Sequence, residues 1–170
     1  MNTKESNLVR FCKDGHLDEV RRIVETAGEK PVNIQWNRNK AFRTACASGH
    51  LAIVNYLLDL DGAKHVDVHA LGDDAIRSAC IKGHVAIISR LLKLENDRRI
   101  AANVVRRKLL VDVNASGRIA AVRLLLELND ERCMGAGICE GPVFSAACGS
   151  GNAELVRMLL ALDGENRISE

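Results

Sequence analysis

Two stretches decide the fold of this chain: ACASGHLAIVNYLLDL at 45–60 and ACIKGHVAIISRLLKL at 79–94. They begin at Ala45 and Ala79 and repeat almost residue for residue. The spacing extends along the whole chain. Glycines stand at Gly15, Gly49, Gly83, Gly117 and Gly151, each 34 residues from the last. Three positions before each comes Cys12, Cys46, Cys80, Asn114 or Cys148, and directly after each comes His16, His50, His84, Arg118 or Asn152. Apolar triplets follow in the same register, from Val20/Ile23/Val24 through Val54/Leu57/Leu58 to Val156/Leu159/Leu160. Self-similarity at a fixed period is the signature of a tandem array.

One unit shows what the period encodes. In KAFRTACASG (40–49) the apolar residues Ala41, Phe42, Ala45 and Cys46 fall at helical spacing. Asn39 is expected to cap this helix, and Gly49 to end it in the left-handed conformation. HLAIVNYLLDL (50–60) is a second amphipathic helix, with Leu51, Val54, Leu57 and Leu58 on one face. The following DGAKHVDVHALGD (61–73) alternates Val66 and Val68 and reads as an extended, hairpin-like connector. Pro142 suits the first turn of a helix, where its missing N–H costs nothing. The unit boundaries fall near 5–39, 40–73, 74–107, 108–141 and 142–170, in a single domain spanning 1–170.

Composition narrows the function classes. A hydrophobic fraction of 47% excludes wholesale disorder. With only 3% aromatics, the core is expected to be built from Ala, Val, Leu and Ile. No run is long and apolar enough for a membrane span. The start MNTKESNLVRF lacks the apolar core of a secretory signal, so a cytoplasmic protein is expected, with the nucleus also open to it. Six cysteines could suggest a disulfide scaffold, but four share one repeat slot. Stacked repeats lie about 8–10 Å apart, and a disulfide needs Cα atoms within about 7 Å. Those four are therefore expected to be small buried thiols. Cys133 and Cys139 make a poor metal motif.

The segment A-C-x-x-G-H-L-x-x-V-x-x-L-L resembles the core of the ankyrin repeat, A-A-x-x-G-H-L-x-x-V-x-x-L-L, and the likeness runs from residue 7 to 168. The tetratricopeptide repeat shares the period, but its Trp, Leu-Gly and Tyr positions are absent here. The ankyrin T-P-L-H opening is replaced by KAFR, DAIR, KLLV and PVFS, and only its apolar third position survives, as Phe42, Ile76, Leu110 and Phe144. The resemblance implies an all-α solenoid of about five helix-turn-helix repeats with short hairpin-like connectors. It also implies a non-catalytic scaffold that binds another protein in a concave groove. The ends of the first helices would line that groove: Thr44, Ala47, Ser48, Ser78, Ile81, Lys82, Asp112 and Ser116, with Ala115, Ala146, Gly149 and Ser150. Trp36, Arg106 and Arg107 would join it from the connectors.

Other chemistry fares poorly in the sequence. The resemblance places His16, His50 and His84 at inter-helix turns bonded to backbone, and their spacing is too wide to share a metal ion. Cys46 and His50 are separated by the helix-breaking Gly49, so they form no nucleophile–base pair. GAGICEG (135–141) lacks the lysine and hydroxyl residue of a P-loop. No catalytic residue, metal, cofactor or small-molecule substrate is expected. An alternative is an anion binder, for nucleic acid or phosphoinositide, using Arg98, Arg99, Arg106, Arg107 and Lys108, although no stacking aromatics accompany them. Another is a spacer within a longer array. Trp36 has apolar equivalents at Ala70, Val104 and Ile138, which suggests a half-buried structural slot. Asn114, in a cysteine slot, would mark a distortion of the fourth repeat. Repeat one carries Arg10, Lys13, Asp14, Asp18, Arg21 and Arg22 where inner repeats are small or apolar, as a terminal cap should. Repeat five keeps Met158 and Leu162 and ends in mid-connector. The expectation is therefore an array that continues beyond Glu170, or a fragment that associates end to end.

Overall fold

The structure is a computed structural model that describes residues 3–26, 31–100, 118–127 and 142–166. The chain forms two compact units, 1–99 and 100–170.

The first unit holds three helix pairs: α1 (Thr3–Asp14) with α2 (Leu17–Glu25), α3 (Trp36–Ser48) with α4 (Leu51–Leu58), and α5 (Ala70–Lys82) with α6 (Val85–Leu92). The repeated glycine ends each first helix. Gly15, Gly49 and Gly83 take φ of +84°, +86° and +78°. After α3, the amides of Gly49 and His50 both donate to the Ala45 carbonyl, at 3.1 and 3.2 Å, closing the helix end.

Packing follows the apolar period. Ala41, Phe42, Ala45 and Cys46 are buried on α3, and Ala75, Ile76, Ala79 and Cys80 repeat the pattern on α5. These side chains are mostly small, and α1, α3 and α5 pack side by side at close range, more closely than the second helices approach one another. The second helices bury Val20 and Val24, then Ile53, Val54, Leu57 and Leu58, then Ile87, Ile88, Leu91 and Leu92. The charged residues Arg10, Lys13, Asp14, Asp18, Arg21 and Arg22 of repeat one are all exposed.

The connectors contain no strand among the described residues. Between α4 and α5 the chain makes a 3-10 turn (Gly62–Lys64), then an extended stretch. In that stretch Val66 and Val68 are buried while Asp67 is exposed, as the alternation requires. A turn closed by Ala70 N–H to the Asp67 carbonyl at 3.4 Å leads into the next helix. The third pair is likewise followed by a 3-10 turn, Asn96–Arg98.

Helix entry differs from expectation. Asn37, Arg38 and Asn39 have φ of 50°, 55° and 57°, and Leu71, Gly72 and Asp73 have φ of 58°, 64° and 62°. α3 and α5 thus each open with a left-handed turn and become right-handed at Lys40 and Asp74. Such residues cost roughly 1–2 kcal/mol each outside glycine, so something must hold them. Asn39 does not cap α3 with its side chain. It is buried, and its Oδ1 accepts from Asp67 N–H of the next connector at 3.3 Å. Glu5, in the same register, accepts from Asn33 N–H at 3.1 Å, while its Oε2 is buried without a hydrogen-bond partner.

The second unit holds α7 (Ile119–Glu127), α8 (Pro142–Gly149) and α9 (Ala153–Asn166). Pro142 opens α8, as its fixed φ favours. Asn152, in the histidine slot, caps α9 by accepting from Leu155 N–H at 3.3 Å. Ala147, Leu155 and Leu159 are buried, but Leu160 is 53% exposed. No described helix is long and apolar enough to cross a membrane.

The cysteine expectation holds three times and fails once. Cys12, Cys46 and Cys80 are buried free thiols, whereas Cys148 is free but exposed. In the first unit each thiol row lies between packed first helices, and Cys46 feels both Cys12 and Asp74. Among the described helices of the second unit, α8 packs against α9 and buries Ala147, while Cys148 stays exposed. Burial pushes the Cys12 and Cys80 thiols up to about 12, and raises Cys46 through burial and then its neighbours Cys12 and Asp74. A thiol with that pKa is about one part in 10⁴ thiolate at pH 8. In the native protein a thiol-reactive probe should therefore label Cys148 well before Cys12, Cys46 or Cys80, which should react only on unfolding. Equal labelling rates would show that these slots open readily.

Candidate protein-binding groove

The surface formed by the first helices is set by ties between successive repeats. At the second and third inter-helix turns the histidine reaches back one repeat. His50 Nε2 bonds the Lys13 carbonyl at 2.8 Å, and His84 Nε2 bonds the Ala47 carbonyl at 3.1 Å. Each ring lies on the preceding turn glycine, so closely that a Cβ there would fall 2.7 Å from its Cε1. His16, in the first repeat, is exposed and contacts the Phe11 ring at 6.1 Å. The histidine row is therefore a structural spacer that fixes the pitch between first helices.

A second row of ties was not visible in the sequence reading. Lys64 Nζ donates to the Val24 carbonyl at 2.7 Å, and Arg98 Nη1 donates to the Leu58 carbonyl at 2.7 Å. The two donors are 34 residues apart, as are the two acceptors. Each cation meets the carbonyl end of a preceding second helix, where the helix dipole favours positive charge. The signal existed as a basic residue recurring in register, but a single basic residue in a connector usually serves solubility.

Arg43 supplies the third tie. Its Nε donates to the Arg38 carbonyl at 3.0 Å and its Nη2 to the Asn37 carbonyl at 3.3 Å, while Nη1 pairs with Asp74 at 2.7 Å. One fork thus braces the left-handed turn of its own repeat and the start of the next first helix. Arg77 holds the equivalent position in DAIR.

On this frame the expected groove residues are placed as follows. Thr44, Ala47 and Ser48 lie in the last turns of α3, half-exposed. Ser78 and Ile81 repeat that placement on α5, and Lys82 is exposed. The helices that carry them are neighbours, and the His84–Ala47 tie fixes one turn against the other. Trp36 is half-buried at the connector end of α3, the opposite end from Ser48. Asp112, Ser116, Arg106 and Arg107 lie outside the described residues, as do Asn114, Ala115, Lys108, Cys133 and Cys139. Among the described residues no group of three His, Cys, Asp or Glu side chains is arranged to hold a metal.

Comparison with family models matches residues 8–58 to ankyrin repeats (many copies). The match spans the first two helix pairs of the first unit. Comparison with curated proteins gives no match. Ankyrin repeats typically mediate protein–protein contacts and act as non-catalytic scaffolds. Residues 8–58 thus match ankyrin repeats, and copies of the same glycine and apolar slots follow them in register.

Proposed function

We propose that this protein is a non-catalytic scaffold that binds another protein across the face of its first helices. One observation carries the reading. The half-exposed residues of α3 and α5 at the turn end, Thr44, Ala47, Ser48, Ser78 and Ile81, are small or apolar and stand in register on adjacent helices. A partner helix or strand can approach such a floor closely. The first helices also lie closer together than the second helices do, a difference that curves a stack toward its first-helix side. Connector residues, Trp36 among them, would border the contact.

Thiol chemistry gains no support from the geometry, because the thiols of Cys12, Cys46 and Cys80 are pushed away from the reactive thiolate by burial. The anion-binding reading loses Arg98, whose guanidinium is committed to the Leu58 carbonyl and to His65 Nε2 at 2.8 Å. Free cysteines in the repeats suit a reducing compartment, the cytoplasm or nucleus.

The test is a double variant, Ser48→Arg with Ser78→Arg. Both side chains are half-exposed, so the melting temperature should stay within a few degrees, since such surface changes stay near ±0.5 kcal/mol. Partners captured by the wild-type protein from an extract of its host, and identified by mass spectrometry, should be lost. Capture of the same set in the same yield would move the binding surface away from the first helices.

A further inference from the structure

We propose that the connector between the second and third helix pairs is a proton-operated clasp, in which the His69 ring ties the left-handed turn at Asp73 to the backbone of the following connector and releases one tie when it gives up a proton. The ring stands between two acceptors. Its Nδ1 lies 2.7 Å from Asp73 Oδ1, and its Nε2 lies 3.1 Å from the Asp97 carbonyl. A carbonyl oxygen only accepts, and so does an ionised carboxylate. A neutral imidazole has one N–H, so it can satisfy only one of them. The full clasp therefore holds one proton more than a neutral histidine beside a free aspartate, on whichever side of the 2.7 Å contact that proton rests.

The neighbouring repeat supplies an internal comparison. Gln35 occupies the same slot, and its Nε2 donates to the His65 carbonyl at 2.9 Å. That amide makes the forward tie at any pH. At His69 a forward tie, to an acceptor two register positions earlier, has been given a titratable donor and a carboxylate partner. The groups facing the ring support the charged form. On its own connector are Asp67, whose carboxylate accepts from His69 N–H at 2.9 Å, and Asp73. The facing 3-10 turn offers the Asp97 carbonyl, while Arg98 on that turn directs its guanidinium to His65 and Leu58. Burial of the ring opposes the charge, but the hydrogen bonds to Asp73 and Asp97 and the charges of Asp73 and Asp67 outweigh it, holding His69 above its ordinary value of 6.5.

The direction of the effect follows. A group with a raised folded pKa contributes its full stabilisation below the unfolded value of 6.5 and loses it as pH rises through the folded pKa. The clasp closes on the acid side and loosens through neutral into alkaline solution. What it grips is the turn Leu71–Asp73, all left-handed, whose Gly72 and Asp73 amides bond the His69 carbonyl at 3.0 and 3.2 Å. That turn displays Leu71, 47% exposed. Proton binding at His69 thus controls how rigidly this connector tip is held.

NMR on the full chain tests the proposal. In the wild-type protein the His69 ring should titrate above 6.5. Hydrogen-exchange protection of the Gly72 and Asp73 amides, expressed relative to the His69→Gln variant at each pH, should fall as pH rises from below 6.5 through the His69 titration. The Gln35 slot shows that glutamine is compatible with this fold. Asp73→Asn, which keeps an acceptor but removes the charge, should lower the His69 titration. A His69 ring titrating at or below 6.5, or a protection ratio that stays flat across the range, would overturn the proposal, and the wild-type titration decides the matter even if a variant fails to fold.

Discussion

Gly49→Ala is expected to destabilise the first unit by about 2–3 kcal/mol, although it adds a single methyl group. Two effects combine. At φ +86° the backbone lies in the left-handed region, which costs a non-glycine residue roughly 1–2 kcal/mol. The new Cβ would also lie 2.7 Å from His84 Cε1 and 2.8 Å from Nδ1. The ring must move, and its bond to the Ala47 carbonyl is lost or lengthened, a net loss of about 0.5–1.5 kcal/mol. For a unit of roughly 100 residues, each kcal/mol lowers the melting temperature by about 4–8 °C. The expected fall is therefore about 10–20 °C. Gly151→Ala separates the two effects. Its φ is +68°, but nothing lies within 4 Å of the added Cβ, so only the backbone cost of about 1–2 kcal/mol applies. Equal losses from the two substitutions in denaturant melts would show that the His84 ring contributes nothing at this turn. The same contact recurs between Gly15 and His50, so Gly15→Ala should repeat the larger loss. The glycine and the histidine of the repeat are thus one device, split between neighbouring units.

That pairing explains what the sequence could and could not reveal. The period exposed many residues that do the same job in successive copies: the turn glycines, the thiols between first helices, the alternating Val66 and Val68. Those jobs are local, or depend on a neighbour that is itself a copy. The left-handed turns at 37–39 and 71–73 escaped notice because Asn37, Arg38 and Leu71 carry no strong signal for that conformation. Gly72 is the one glycine among the six residues. The turn around Arg38 is held from outside by Arg43, whose fork reaches back to carbonyls five and six residues earlier. Asn39 shows the same limit in a different way. Its type suits an N-cap, yet its amide oxygen serves Asp67 N–H, 28 residues downstream, because burial places it there. Cys148 kept the register of a buried residue and is nevertheless exposed, since a repeat's burial depends on what covers it. Of the proposed groove, the small residues were legible at Thr44, Ala47, Ser48, Ser78 and Ile81. Their half-exposure on adjacent helices could be read only from coordinates. His69 was missed altogether, because its register partner is Gln35 rather than another histidine, and no periodicity pointed to it.

Phe42→Ala is expected to be the most damaging single substitution in the first unit. Phe42 heads the large side chains that are fully enclosed, at 0% exposure. It occupies the one position of the family's opening motif that this chain keeps, and its register partners Leu8 and Ile76 are buried as completely. Truncation removes most of an aromatic side chain and leaves a cavity between closely set helices, at a cost of about 3–5 kcal/mol. That is a large part of the total stability of an ordinary domain, about 5–15 kcal/mol. Phe42→Leu should be much milder, below about 1.5 kcal/mol, because the slot accepts Leu and Ile one repeat away on either side. In urea melts the midpoint should drop sharply for the alanine variant and slightly for the leucine variant. α3 lies between α1 and α5 and packs against both. Weakening it removes two nearest-neighbour interfaces together, and in a repeat stack those interfaces supply the cooperativity. The alanine variant should therefore also unfold over a broader range, with a smaller apparent dependence on urea, as α1–α2 and α5–α6 cease to melt as one. A sharp transition with an unchanged slope would show that the flanking pairs remain coupled without α3, and that its central position carries no special weight.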